Sequence, residues 1–88
     1  MSTVEMSEAR IRDMRVTDEE IIAELVDGRT ISVPLAWSWR LSEETPEQRA
    51  NLHIIGNGQG AHWPDVDEDI SARGMLAGIP APRPTQPA

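Results

Sequence analysis

The fold of this chain is decided by residues 20–34, which read EIIAELVDGRTISVP. Residues 20–26 are rich in apolar and β-branched side chains, and residues 29–33 alternate apolar with hydroxyl side chains; both patterns are typical of β-strands. Asp27-Gly28 separates the two segments, and both residue types tolerate the positive φ that a two-residue type I′ turn requires. The sequence therefore predicts a β-hairpin centred on Asp27-Gly28.

The predicted two-residue turn sets the register of this hairpin, with Val26 opposite Arg29 and Ile22 opposite Val33. One face then carries the apolar side chains Ile22, Val26, Ile31 and Val33. The other face carries Ile21, Ala23 and Leu25 together with Thr30 and Ser32. Since both faces are substantially apolar, the second face needs a cover, which is a second subunit, a partner protein or the chain's own loops.

The segments around the hairpin predict further short elements. Residues 11–17 form a weakly alternating first strand, and residues 35–41 form a short helix or an irregular turn after Pro34 stops strand pairing. Thr45-Pro46-Glu47-Gln48 combines an N-cap, a first-turn proline and a capping-box partner, which predicts a helix over 46–52. Residues 52–55 and 61–63 form a second hairpin around the glycine-rich turn 56–60. Ser71 caps a last helix that ends near Gly78. The fold class is α+β, a small antiparallel sheet of hairpins with two or three short helices.

The 88 residues allow a single domain. We place it over residues 10–78, after a flexible N-terminus at 1–9. Residues 79–88 hold four prolines, which predicts a disordered proline-rich tail.

The charge balance is acidic, with 15 Asp and Glu against 8 basic residues and a net charge of −7. Binding to nucleic acid and binding to anionic lipid both require a basic surface, so we expect neither nucleic acid nor membrane as a partner. The chain has no cysteine, which excludes disulfides and thiolate chemistry. No signal peptide or apolar run of membrane-spanning length is present, so we expect a cytoplasmic protein. No cofactor is expected.

The acidic run Asp65-Val-Asp-Glu-Asp69 is the most conspicuous local feature. Asp65, Asp67 and Asp69 alternate as in a calcium loop, but Ile70 occupies the position that needs glycine and Leu76 the position that needs glutamate. A looser divalent-ion site from His62, Asp65, Asp67 and Asp69 is the alternative that stays open. Solvated charge is the commoner role of such a run, and carboxylates close before a helix also stabilise its first N–H groups.

No pattern in the sequence indicates an enzyme. Gly56, Gly58 and Ala61 match a dinucleotide-binding loop only loosely, because the loop opens onto His62-Trp-Pro instead of a helix. His53 and His62 are the only candidates for proton transfer near neutral pH, and no serine lies in a nucleophile elbow. We therefore predict no catalytic residues.

Several segments together resemble a known family. They are Asp27-Gly-Arg29, Pro34-Leu35, Thr45-Pro-Glu-Gln-Arg49, Gly60-Ala-His-Trp-Pro-Asp-Val-Asp-Glu-Asp-Ile-Ser71 and Met75-Leu-Ala-Gly78. Over residues 14–78 the chain is similar to the small bacterial family catalogued as domain of unknown function 2442. The resemblance implies a compact α+β domain with an antiparallel sheet and no assigned catalytic residues. It also implies that some members act as the antitoxin of a small protein encoded nearby. Some relatives carry an added DNA-binding domain, and we expect none in this sequence.

We therefore predict a non-enzymatic protein-interaction module, homodimeric or paired with a small basic protein. Large apolar side chains would supply its affinity, and carboxylates would steer a basic partner. The predicted interface residues are Ile21, Ala23, Leu25, Trp37, Trp39, Asp67 and Glu68. The alternative is a domain that binds a divalent metal or a small ligand through His62 and the acidic loop.

Overall fold

The computed structural model describes residues 9–78, which form two three-stranded antiparallel sheets and three short helices. The first sheet has the order β1-β2-β3, and its strands are β1 Ile11–Val16, β2 Glu20–Leu25 and β3 Thr30–Pro34. The second has the order β4-β5-β6, and its strands are β4 His53–Ile55, β5 Gly60–Trp63 and β6 Glu68–Ser71. The helices are α1 Trp39–Ser42, α2 Pro46–Ala50 and α3 Ala72–Ala77, with 3₁₀ turns at Leu35–Trp37 and Gly56–Gly58.

This architecture confirms the α+β class with antiparallel hairpins and short helices. The predicted flexible start at 1–9 and the proline-rich tail at 79–88 lie outside the described residues, except for Ala9, which is buried. The capping box of α2 is present with both of its bonds. The Gln48 amide donates to Thr45 Oγ1 at 3.1 Å, and the Thr45 amide donates to Gln48 Oε1 at 3.1 Å. Helix α3 begins after the cap Ser71 and ends at Gly78, whose φ is +75°.

The register predicted for the hairpin is wrong by one residue. Ile21 lies opposite Val33, and Ala23 lies opposite Ile31. The Leu25 amide donates to the Arg29 carbonyl at 2.8 Å, so the loop contains three residues, 26–28. Gly28, with φ +98°, occupies the left-handed position that closes a three-residue hairpin loop.

The shift reverses the predicted role of the second hairpin face. A slip of one residue moves every side chain of a strand to the opposite face. Ile21, Ala23 and Leu25 therefore share a face with Ile31 and Val33. Each of the three β2 side chains is at most 1% exposed. These three predicted interface residues are core residues that the chain covers by itself. Of the three covers considered for this face (a second subunit, a partner protein or the chain itself), the structure shows the chain itself.

Gly28 offers a direct test of this turn. A Cβ added at Gly28 would meet no atom within 4 Å, so the Gly28→Ala variant loses stability through backbone conformation alone. We expect a loss of about 1 kcal/mol in the free energy of unfolding, and less for Gly28→Asn because asparagine tolerates the left-handed region. Urea unfolding of the three proteins measures this difference. If Gly28→Ala is as stable as the wild type, the loop does not need a left-handed residue at 28 and the observed register is wrong.

The second sheet contains a strand that the sequence analysis missed. Glu68–Ser71 forms β6, with Trp63 opposite Glu68 and His62 opposite Asp69. The acidic run is thus divided between the β5–β6 loop and β6, and the first turn of α3 holds no acidic residue. The carboxylates predicted to lie close before the last helix thus belong to this loop and to β6, outside the first turn of α3.

One hydrophobic core joins both sheets with α1 and α3. It includes the hairpin face described above, Leu41 of α1, Ala61 and Trp63 of β5, and Met75 of α3.

Candidate functional site

Three turns or loops meet at one end of the molecule: the β1–β2 turn, the α1–α2 region and the β5–β6 loop. Arg49 of α2 reaches Asp18 of the β1–β2 turn at 3.2 Å, and Asn51 reaches Asp65 of the β5–β6 loop at 3.0 Å. Arg40 of α1 donates to the Asp67 carbonyl at 3.1 Å. We call this region the acidic end, and its carboxylates are Asp18, Glu19, Glu20, Glu43, Glu44, Glu47, Asp65 and Asp67.

The arginines of the acidic end are engaged in holding the fold together. Arg49 donates from Nε to the Leu41 carbonyl at 2.9 Å and from Nη2 to the Ser42 carbonyl at 3.2 Å, and its side chain is 11% exposed. Arg40 lies with its guanidinium carbon 4.9 Å from the centre of the Trp39 ring. Two cations face eight carboxylates here, so the region keeps a strong negative potential.

Glu68 is buried and does not belong to this exposed charge. Its Oε2 accepts a 2.6 Å hydrogen bond from Ser38 Oγ, and its Oε1 accepts from the Asp69 amide at 3.1 Å. Arg40 Nη1 lies 3.8 Å from the same Oε1. Ser38 Oγ also accepts from the Leu41 amide at 3.2 Å and so caps α1. Glu68 therefore fastens α1 to β6, and the steering role predicted for it does not fit its burial.

Asp67 occupies an exposed position at the end of the β5–β6 loop, with φ +55°. Aspartate is one of the few residues that adopt this left-handed conformation at low cost. The main-chain carbonyl of Asp67 is bound by Arg40, while its side chain is exposed. Of the two carboxylates predicted as interface residues, Asp67 is the one on the surface.

The three tryptophans differ in burial. Trp63 is fully buried and donates from Nε1 to the Arg49 carbonyl at 2.9 Å, so it anchors the core and the end of α2. Trp37 is half-buried and packs against the core. Trp39 is half-buried at the start of α1, with Arg40 on its ring. Trp37 and Trp39 each keep part of their side chain exposed to solvent.

The proposed metal ligands are only partly brought together. His62 Nδ1 and Asp69 Oδ1 are 2.6 Å apart, whereas Asp65 is bound by Asn51 and Asp67 lies in the loop. Over residues 9–78, no three His, Asp or Glu side chains are placed to hold one ion. His53, named from the sequence only as a candidate for proton transfer, lies directly opposite His62, a proximity that was not predicted. Continuing the strand pairing outward from the glycine-rich turn, from Ile55 opposite Gly60, predicts that His53 lies opposite His62.

The outer face of the first sheet has compensated charges. Arg12 and Arg15 each lie 3.3 Å from a carboxylate oxygen of Glu24, and their hydrogen bonds lower the pKa of Glu24. At the hairpin loop, a hydrogen bond from the Arg29 amide lowers the pKa of Asp27. Because arginines donate hydrogen bonds to them, both carboxylates stay ionised at a lower pH than is usual for Asp and Glu. At the acidic end, by contrast, eight carboxylates share two arginines.

Two shallow grooves lie on the surface of the domain. A groove of about 350 Å³ is lined by Ile11, Val26, Ile54 and Arg10, and Val26 is 53% exposed. A second groove of about 320 Å³ lies over Gly60, between Ile55 and β6.

Comparison with known proteins now places this fold. The profile of the family described as "Protein of unknown function (DUF2442)" matches residues 11–81. The chain belongs to this family. A crystal structure of a protein of unknown function from Rhodospirillum rubrum is similar to the DUF2442 chain, with a TM-score of 0.75 and 29% sequence identity. The match covers 86% of this chain and 94% of that chain. A search of curated proteins gave no match.

The family assignment confirms the resemblance drawn from the sequence segments between Asp27 and Gly78. All three helices of the described DUF2442 domain are short. Within residues 9–78, none of its helices is long and apolar enough to cross a membrane.

Proposed function

We propose that this DUF2442 chain is a non-enzymatic protein-interaction module that binds a basic partner protein at its acidic end. The observation that carries the proposal is the excess of carboxylates over arginines around three turns or loops that the fold brings together. Complementary charge accelerates the diffusional encounter of partners and disfavours partners of the same sign. Trp39, half-buried beside Arg40, adds partly exposed aromatic surface at the same end, of the kind enriched in interfaces.

The roles of the serines support a non-enzymatic function. Ser38 and Ser71 hold the N-termini of α1 and α3, accepting from the Leu41 amide at 3.2 Å and the Gly74 amide at 2.9 Å. Ser38 also donates to Glu68. A nucleophile needs a base beside a hydroxyl that is available to substrate. These two hydroxyls are engaged in structural bonds instead.

The partner that best fits is a small basic protein encoded beside this chain, as expected for the antitoxin-like members of the family. An acidic chain of net charge −7 can cover a basic surface without like-charge repulsion. Homodimerisation has lost its structural argument, since the hairpin face that suggested it is covered by the chain itself. The proposal is therefore an association between two different proteins.

The test is co-expression of the tagged chain with its genomic neighbour, followed by purification and determination of the mass of the complex. The wild type is expected to retain the neighbour at a fixed stoichiometry. The Glu43→Lys/Glu47→Lys variant reverses two charges of the acidic end and is expected to retain it at least about tenfold less, because complementary charges become repulsive.

The matched control is Asp13→Lys/Asp27→Lys, which makes the same change in net charge away from the acidic end. Each variant loses a little stability at one of its positions. Glu47 lies in the first turn of α2, and Asp27 accepts a hydrogen bond from the Arg29 amide. The control is expected to retain the neighbour like the wild type. Equal loss in both variants would contradict a site at the acidic end, and no retention by the wild type would contradict the choice of partner.

A further inference from the structure

The second sheet aligns three polar side chains across its solvent face. His53 of β4 lies opposite His62 of β5, and His62 lies opposite Asp69 of β6. Residues directly opposite in an antiparallel pair project to the same face, with Cβ atoms about 4.5–5.5 Å apart. The neighbouring β5 residues Ala61 and Trp63 point to the other face and are buried in the core. His53, His62 and Asp69 therefore form a row on the outside of the sheet.

Within this row, Asp69 controls the orientation of His62. The Asp69 carboxylate lies 2.6 Å from Nδ1 of the imidazole. A carboxylate at this distance accepts the proton of Nδ1, which leaves the lone pair of a neutral ring on Nε2. A carboxylate bound to one ring nitrogen is also the usual partner of a histidine whose other nitrogen binds a metal.

We propose that His53 and His62 bind one divalent transition-metal ion, such as Zn²⁺, on the outer face of the second sheet. Metal–imidazole bonds are about 2.0–2.1 Å long, which directly opposite histidines can span by rotating their side chains. Asp69 is a positioning residue that acts on His62, and water completes the coordination. This site differs from the metal site considered from the sequence, because it uses His53 in place of Asp65 and Asp67. It is independent of the proposed function.

Titration of the full-length chain with Zn²⁺ in a buffer that does not chelate metals tests the site. We expect saturable binding of one ion per chain. His53→Ala and His62→Ala should each weaken binding by at least about tenfold, because a single imidazole remains. Asp69→Asn should weaken it by about tenfold, since loss of such an oriented carboxylate typically costs 10- to 100-fold in metal affinity.

The control variant is Asp65→Asn/Asp67→Asn, which removes the loop carboxylates and keeps both histidines. It should bind Zn²⁺ within about twofold of the wild type, since neither carboxylate lies in the row. Thermal melts without metal should show that all variants fold. The proposal fails if the wild type shows no saturable binding, if His53→Ala binds like the wild type, or if the control loses binding. It also fails if one ion is bound by two chains.

Discussion

Replacement of Trp63 by alanine is expected to lower the free energy of unfolding by about 3–5 kcal/mol, the usual cost of removing a buried tryptophan. Trp63 is completely buried between the second sheet and the helices. Its Nε1 also donates a 2.9 Å hydrogen bond to the Arg49 carbonyl, near the end of α2. Domains of this size have total stabilities of about 5–15 kcal/mol, so the loss is a large fraction of the whole. Chemical unfolding followed by circular dichroism measures the effect.

Two further variants separate packing from the hydrogen bond. Trp63→Phe keeps an aromatic ring but loses the hydrogen bond to the Arg49 carbonyl. Its free energy of unfolding should therefore lie between those of the wild type and Trp63→Ala. Trp39→Ala removes a half-buried ring and should cost less than Trp63→Ala, because less apolar area returns to water. If Trp39→Ala is the more damaging of the two, Trp63 is not the central anchor of the core.

The second large effect is expected at the buried pair of Ser38 and Glu68. Glu68→Ala leaves the Ser38 hydroxyl and the Asp69 amide without their carboxylate, and it should cost about 2–3 kcal/mol because buried unpaired donors are expensive. Glu68→Gln keeps an acceptor oxygen and should cost less. Urea unfolding of both variants gives the comparison.

A double-mutant cycle with Ser38→Ala isolates the interaction itself. Groups in direct contact show coupling energies of about 0.5–3 kcal/mol, and the 2.6 Å bond to a charged acceptor places this pair in the upper part of that range. Additive losses in the double variant would contradict the role of Glu68 in fastening α1 to β6. Because a lysine at 68 would break this bond, the charge-reversal variants used to test partner binding leave Glu68 unchanged.

The hairpin shows how far local sequence signals reach. Residues 20–34 predict both strands, but Asp27-Gly28 fits the last two positions of a three-residue loop as well as a two-residue turn. The two loops differ by one residue in register, and the pattern of apolar residues distinguishes them. Only the three-residue loop places Ile21, Ala23, Ile31 and Val33 on one face. Requiring one apolar face would have given the observed register.

The site residues were harder to predict because their partners are distant in the chain. Glu68 looks like part of a solvated acidic run, and its burial depends on Ser38, thirty residues earlier. The acidic end likewise exists only because Arg49 and Asn51 join α2 to the β1–β2 turn and the β5–β6 loop. In contrast, the capping box of Thr45 and Gln48 is local and was predicted in full.

The most direct test of the acidic end as a binding site is the association rate constant with the co-purified partner, measured at low and high salt. The account predicts that the rate for the wild type falls steeply as salt rises, because steering by charge is screened. Glu43→Lys/Glu47→Lys should associate more slowly at low salt and depend less on salt, while Asp13→Lys/Asp27→Lys should follow the wild type. A wild-type rate independent of salt, or equal slowing in both variants, would contradict the account.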